Sequence, residues 1–312
     1  MDLGLEINNL TKKLSKNKII SIANLSISKG KKVALLGLNG AGKSSFIRLL
    51  VGESKLDSGE INYRAIGFDH SQTLHPQVLS FKKRLGYQAD TMLAITGMTG
   101  GEYLNLCGRF KQLSSKQIER KLKWLCQLWQ IDELLNQKMS ELSKGNLQKL
   151  AIAQAFIVEA KWLFFDEPCQ SLDPLEQDRF NQNIKNLVNI ELCIFSTHNV
   201  EHALEVADDI VVFHQCKIAY HFKSENQQDY LLVCKKNKLK MQELANELNL
   251  TIVKIAENLY QLPSINTDQA EKFTTSLGQD GIEFCLPENQ AVMPLFRLLA
   301  SGELDANLNG FQ

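Results

Sequence analysis

The chain has 312 residues, 44% hydrophobic and 22% charged, with Lys+Arg and Asp+Glu both at 35. That length supports two domains and a substantial core, and the balanced charge gives no ground for a nucleic-acid partner, whose phosphates reward a basic surface. The seven cysteines are scattered without a CxxC pair, which argues against a zinc site or a disulfide framework and for reduced thiols. No uncharged apolar run approaches the ~20 residues that span a bilayer, and the N-terminus lacks the basic and apolar regions of a signal peptide. The expectation is a soluble, cytoplasmic protein, with any membrane role running through a partner.

Leu3, Leu5 and Ile7, then Ile20 and Ile22, then Leu25 and Ile27 alternate with more polar neighbours, which predicts half-buried antiparallel strands. After the turn Lys29-Gly30-Lys31-Lys32, the apolar run Val33–Leu36 leads into Gly37-Leu38-Asn39-Gly40-Ala41-Gly42-Lys43-Ser44, and helical spacing follows from Ser45 to Val51. Strand, glycine-rich loop and helix in that order make a Walker A phosphate loop. Its backbone N–H groups and the positive end of the following helix converge on an anion, and its glycines let the main chain come close. Lys43 can place its ammonium on the outer phosphates, and the Ser44 hydroxyl can ligate Mg²⁺. Gly37, Asn39, Gly40, Ala41, Gly42 and Ser45 complete the expected nucleotide contacts.

Leu56-Asp57-Ser58-Gly59-Glu60-Ile61 marks a turn into another strand, and the polar stretch Asp69–Ser80, with Pro76, reads as a surface loop. Residues 98–160 carry helical spacing over Gly101–Phe110, Ser115–Leu128 and Lys144–Val158, which suggests an inserted helical subdomain. Strand–helix alternation then returns: a buried strand Lys161–Phe165, a helix Leu175–Val188, a strand Leu192–Thr197, a short helix Val200–Ala207, and a closing hairpin of Ile210–Phe213 and Ile218–Tyr220. Such alternation predicts a parallel α/β sheet with its ligand at the C-terminal edge of the strands.

The polar run Lys223–Asp229 reads as a linker, which divides the chain into residues 1–222 and 223–312. The second part orders as strand (Tyr230–Cys234), helix (Met241–Leu248), strand (Thr251–Ile255), strand (Leu259–Leu262), helix (Thr267–Leu277) and strand (Ile282–Cys285). This β-α-β-β-α-β order is compatible with a ferredoxin-like fold. An amphipathic segment, Met293–Leu299, follows. No catalytic constellation is visible there, and a docking or dimerisation module is expected.

The strand Leu163-Phe164-Phe165 ends in Asp166 and Glu167, the Walker B pattern. A carboxylate at the sheet edge beside a phosphate loop can hold Mg²⁺, the role expected of Asp166. Glu167 is then placed to polarise an attacking water as general base.

Further motifs carry a family resemblance. Leu142-Ser143-Lys144-Gly145-Asn146-Leu147-Gln148 resembles the signature motif of ATP-binding-cassette (ABC) ATPases. Ser171-Leu172-Asp173 resembles their D-loop, His198 their switch histidine, and Glu102-Tyr103-Leu104 the segment after their glutamine loop. The resemblance covers about residues 1–222. It implies a P-loop NTPase cassette with an antiparallel β subdomain and an inserted helical subdomain, joined here to a small C-terminal α+β domain. It implies ATP and Mg²⁺ as cofactors, with Lys43, Glu167 and His198 serving hydrolysis. Ser143, Gly145 and Gln148 would engage ATP held by the opposite cassette, and Asp173 would help join the two sites. The implied partners are a second copy of the cassette or a paralogue, in a head-to-tail dimer, and an integral membrane permease carrying the chain on its cytoplasmic face. The Ser-Lys-Gly variant and the C-terminal extension look like families paired with export-type permeases. Alternative readings are a soluble ABC ATPase acting on ribosomes or DNA, and a low-activity regulatory cassette.

Several positions depart from the family pattern. Lys144 and Asn146 replace the signature's first glycine and its glutamine. Asp90 falls where the glutamine-loop residue usually stands and Gln88 sits two residues early, so either is a candidate to reach Mg²⁺. The family stacks an aromatic ring on adenine, yet no Phe, Tyr or Trp precedes Phe46, and the corresponding position is about Leu14. Such stacking contributes about 0.5–1.5 kcal/mol, so weak or base-tolerant nucleotide binding is expected.

Overall fold

A computed structural model describes residues 3–64, 74–92, 94–224, 229–236, 238–277 and 282–304. Residues 69–73 of the expected polar loop and 225–228 of the expected linker lie outside the described residues. In chain order, β1 (Leu3–Ser15) and β2 (Lys18–Ser28) form a hairpin, β3 (Lys32–Leu36) leads to the phosphate loop, and α1 (Lys43–Leu50) and β4 (Ser58–Tyr63) follow. Next come α2 (Leu79–Lys83), β5 (Leu85–Gln88), and the helical block α3 (Gly100–Phe110), α4 (Ser115–Trp129) and α5 (Lys144–Ala155). The body closes with β6 (Trp162–Phe165), α6 (Pro174–Lys185), β7 (Leu192–Thr197), α7 (Val200–Val206), β8 (Asp209–His214) and β9 (Lys217–Phe222).

β2-β1-β4 make one antiparallel sheet, in which Leu5 faces Ile27 and Ile7 faces Leu25, as the alternating pattern predicts. A second sheet runs β5-β6-β7-β3-β8-β9, parallel except for β9. Successive side chains of a strand point to opposite faces, and this strand set is buried on both. Ala34, Leu36, Leu163 and Phe165 pack with α3 to α7, while Val33, Leu35 and Phe164 pack with α1 and the antiparallel sheet. The strand order places β7 between β3, which carries the phosphate loop, and β6, which carries the two carboxylates.

Sequence pattern did not single out α2 or β5. β5 has only four residues and includes Gly86, whose replacement would put a Cβ 2.1 Å from the Ala155 carbonyl oxygen. The glycine therefore lets the edge strand lie against the end of α5, a packing reason that leaves no periodic trace.

Residues 229–304 continue with β10 (Tyr230–Cys234), α8 (Lys238–Glu247), β11 (Val253–Lys254), β12 (Leu259–Leu262), α9 (Thr267–Leu277), β13 (Ile282–Pro287) and α10 (Glu288–Ser301). Their sheet runs β11-β12-β10-β13 with every pair antiparallel. β12 lies between β10 and β11, the split βαβ arrangement of ferredoxin-like folds. Tyr230, Leu232 and Cys234 face α8 and α9, whereas Leu231 and Val233 face α10. Through Leu295 and Leu299 of α10, that second face shares one apolar cluster with Val206, Val212 and Phe222 of the preceding body.

The same junction buries a polar network. The Tyr220 hydroxyl donates to Glu288, and the Gln261 amide donates to Glu288 (2.9 Å) and to Asp229 (2.8 Å). Glu288 is 2% exposed, its Oε2 meets no partner among the described residues, and burial pushes its pKa up to about 7.

Candidate nucleotide site

β3 ends beside β7, and the Gly37 N–H donates to the Thr197 carbonyl (3.1 Å) as the chain leaves the sheet. A Cβ on Gly37 would stand 2.4 Å from the Phe213 carbonyl oxygen, so only glycine fits at this exit. Gly40 and Gly42 take φ of +79° and +106°, conformations in which glycine carries no penalty. Ala41, 8% exposed, accepts the Cys216 N–H (2.8 Å), and Gly42 caps α1. The loop is thereby fixed with the N-terminus of α1 facing the pocket. Lys43 is 5% exposed and donates to the Gly37 carbonyl at 2.7 Å.

The pocket has a volume of about 460 Å³ and is lined by Asn39, Gly40, Gly42, Lys43, Ser44 and Ser45, with Asp90 and Glu167. Leu14, Ser15, Lys18 and Cys216 also line it, Cys216 directly against Gly42 of the loop. A register shift between Lys13 and Ser15 in the β1–β2 ladder marks a bulge at Leu14, the kind of irregularity that re-aims a side chain.

β6 delivers Asp166 fully buried at the sheet edge, where its Oδ1 accepts from Ser44 (3.1 Å) and Ser196 (2.6 Å). Burial raises its pKa, and these two hydroxyl bonds oppose that rise. Asp166 Oδ2 and Gln88 Oε1 are buried without a partner among the described residues. Glu167 takes φ +47° and pairs with Lys43 at 3.0 Å through Oε1 and with Nδ1 of His198 at 3.0 Å through Oε2. His198 is 48% exposed on the side chain. The structure thus brings Lys43, Ser44, Asp166, Glu167 and His198 together.

Hard oxygen donors with unmet capacity suit a small divalent cation. The Ser44 hydroxyl and the free oxygen of Asp166 would hold Mg²⁺, with Gln88 Oε1 or the Asp90 carboxylate as the further donor, and the ion would supply charge neutralisation on bound phosphates. The two glutamine-loop candidates separate here. Asp90 lines the pocket, whereas Gln88, 1% exposed, ends β5 with its amide on the carbonyls of Ala89 and Asp166.

Ser143, Gly145, Gln148 and Asp173 do not line this pocket. Ser143 is exposed and caps α5 by accepting the Asn146 N–H (3.2 Å), while Asp173 caps α6 by accepting the Glu176 N–H (3.0 Å). Gly145 lies against the loop after Asp166, where a Cβ would meet the Ser171 carbonyl at 2.8 Å. Gln148 departs from the expectation of a ligand contact: it is 6% exposed and spends its amide on the Pro168 carbonyl (2.9 Å), tying α5 to the loop after β6. Sequence reasoning missed Ser196, and also Ser15, Lys18, Gln170 and Cys216, which line the pocket. Ser196 carried a signal in its place two residues before His198 at the end of a buried strand. Cys216 carried none, because its position depends on the β8–β9 turn, where Gln215 and Cys216 both have positive φ.

Residues 20–170 match the family model of the ABC transporter. The sulfate/thiosulfate import ATP-binding protein CysA of Pectobacterium atrosepticum is 32% identical over 219 residues, covering 68% of this chain and 64% of that protein. The chain therefore spans less than two thirds of that relative's length. The ABC transporter ATP-binding protein NatA of Bacillus subtilis is 29% identical over 221 residues, covering 68% of this chain and 87% of the relative. Among solved structures, the ATP binding subunit of an ABC transporter superposes with a TM-score of 0.59 at 25% identity, over 72% of this chain and 92% of that one. A bacterial ABC transporter cassette solved as a dimer shares the fold, with a TM-score of 0.61 at 20% identity over 70% of this chain and 98% of the other. Phosphate loop, paired carboxylates, fold and relatives agree: residues 20–170 carry an ATP-binding cassette of the kind found in ABC transporters.

Proposed function

We propose that the chain is the ATP-hydrolysing subunit of an ABC transporter, working as a head-to-tail pair of cassettes on a separate membrane permease. The observation that carries the pairing is the separation of Ser143 and Gly145 from the pocket of their own chain. An exposed helix N-terminus with unspent N–H groups is an anion site, and a second cassette turned end to end would bring it onto the phosphates. Within one chain, the loop N–H groups and Lys43 would bind the phosphates, and Ser44 and Asp166, with Gln88 or Asp90, would hold Mg²⁺. Glu167 takes the proton of the attacking water, and His198, hydrogen-bonded to Glu167, orients it. Among the described residues no helix is long and apolar enough to cross a membrane, which fits energy supply to a separate permease. The signature variant and the C-terminal extension favour an export-type partner; CysA, named for import, stands on the other side.

Glu167→Gln tests the reading. A lost general base typically costs 10²–10⁴-fold, so hydrolysis should fall by at least about 100-fold while ATP holds the protein as a dimer in light scattering. Unchanged hydrolysis removes Glu167 from that role. Co-purification from detergent extracts identifies the permease, and recovery of ribosomes or DNA without a membrane protein would count against transport.

A further inference from the structure

Asp166 and Glu167 are consecutive, and side chains of consecutive strand residues point to opposite faces. Both nevertheless face the phosphate loop: Asp166 Oδ1 is 3.1 Å from the Ser44 hydroxyl and Glu167 Oε1 is 3.0 Å from the Lys43 ammonium. The turn that allows this is the φ of +47° at Glu167, a left-handed conformation that a glutamate adopts only when its surroundings impose it.

One hydroxyl touches both partners of the turn. Ser196 Oγ donates to Asp166 Oδ1 (2.6 Å) and accepts the Glu167 N–H (2.8 Å). A serine hydroxyl has a single donor, so the bond to Asp166 fixes its rotation and leaves a lone pair for Glu167. Ser196 is fully buried on β7, the strand between those bearing the phosphate loop and the carboxylates. With Oδ1 taken by two hydroxyls, Asp166 is left with Oδ2 as its unpartnered oxygen. Among the described residues no neighbour duplicates this. Thr197 Oγ1 serves Asn199 and His202, while Gln88 and Gln148 hold the carbonyls of Asp166 and Pro168 rather than the carboxylate or the Glu167 N–H.

We propose that Ser196 is the positioning residue of the hydrolytic site, setting the cation-binding oxygen of Asp166 and the left-handed turn that presents Glu167 through one hydroxyl. The assignment rests on the hydrolytic reading above.

The test compares Ser196→Ala and Ser196→Thr with the parent chain. Loss of a hydrogen bond to a charged group corresponds to roughly a 10–100-fold effect. Ser196→Ala should therefore lower kcat by about that factor and raise the half-saturating Mg²⁺ concentration by about 10-fold, leaving the KM for ATP within about 3-fold. Mn²⁺ binding to the ADP complex, read by electron paramagnetic resonance, should weaken in parallel. Ser196→Thr, which keeps the hydroxyl, should recover most of both. Ser196→Cys, near-isosteric with a weak donor, should show the same two losses if the alanine variant does not fold. Unchanged kcat and Mn²⁺ affinity overturn the proposal, as does a fall in thermal stability and ATP binding that leaves the Mg²⁺ requirement where it was. Absence of hydrolysis by the parent chain sinks the hydrolytic reading separately, because the Mn²⁺ arm needs no turnover: a weakened Mn²⁺ affinity then still supports Ser196.

Discussion

Asp166 and Glu288 are both buried carboxylates with one oxygen unpartnered, and they do opposite things. Asp166 follows a strand at the sheet edge and receives two serine hydroxyls on one oxygen, one of them from Ser44, which lines the pocket of the phosphate loop. Glu288 opens α10 at the junction of the two halves of the chain, where a tyrosine hydroxyl and a glutamine amide meet it. Burial raises the pKa of both. Desolvation is therefore a poor guide to function by itself, since structural junctions incur it too. What separates the pair is where the unmet oxygen sits: beside the Ser44 hydroxyl at the phosphate loop in one case, inside an apolar junction that favours a proton in the other.

Substitution should break the symmetry. Asp166→Asn removes the charge that Mg²⁺ needs, so hydrolysis should fall by more than about 100-fold with melting temperature held or raised. Hydrolysis within ten-fold of the parent would make Asp166 merely another buried acid. Glu288→Gln should leave hydrolysis alone and change stability with pH instead. The folded pKa of about 7 lies above the ordinary 4.5, so between those values the folded state binds the extra proton. Stability should fall as pH rises through that window, by on the order of 2–3 kcal/mol from this group. Urea midpoints at pH 5 and pH 8 should differ less in Glu288→Gln than in the parent; equal slopes would remove Glu288 as their source. Leu14 is the contrasting case, a pocket residue with no buried polar obligation. Leu14→Tyr should tighten ATP binding by only about 2–10-fold, the size of a stacking contact. ATP and GTP should bind the parent chain about equally, and strong adenine selectivity in a titration would sink that expectation.

The phosphate end of the site was legible because its chemistry is written locally. Glycines, Lys43 and Ser44 follow a strand and open a helix, and Asp166-Glu167 close another strand. The alternation of Leu5, Ile7, Ile27 and Leu25 likewise foretold the β1–β2 ladder. The strand expected over Tyr230–Cys234 is likewise β10, and the structure buries it on both faces. Illegible features depend on who lies next to whom across the sheet. Ser196 matters because β7 is inserted between β3 and β6, a strand order no local pattern encodes. Gln148 looked like a ligand residue from its motif, yet its helix turns it inward onto Pro168. β5 was hidden by its four-residue length and by Gly86.

The apolar cluster that runs from Ala34 to Leu304 has a consequence for biosynthesis. Chains emerge N-terminus first and tend to fold domain by domain as they do. Here the surface formed by α7 and β9, with Val206 and Phe222, meets α10 only when residues 288–301 have been made. The nucleotide-binding half thus leaves the ribosome with a hydrophobic flank still bare, and a chain cut near residue 222 should keep that flank for good. Such a fragment is a natural client for chaperones and a natural seed for aggregation, even though every residue of its phosphate site is present.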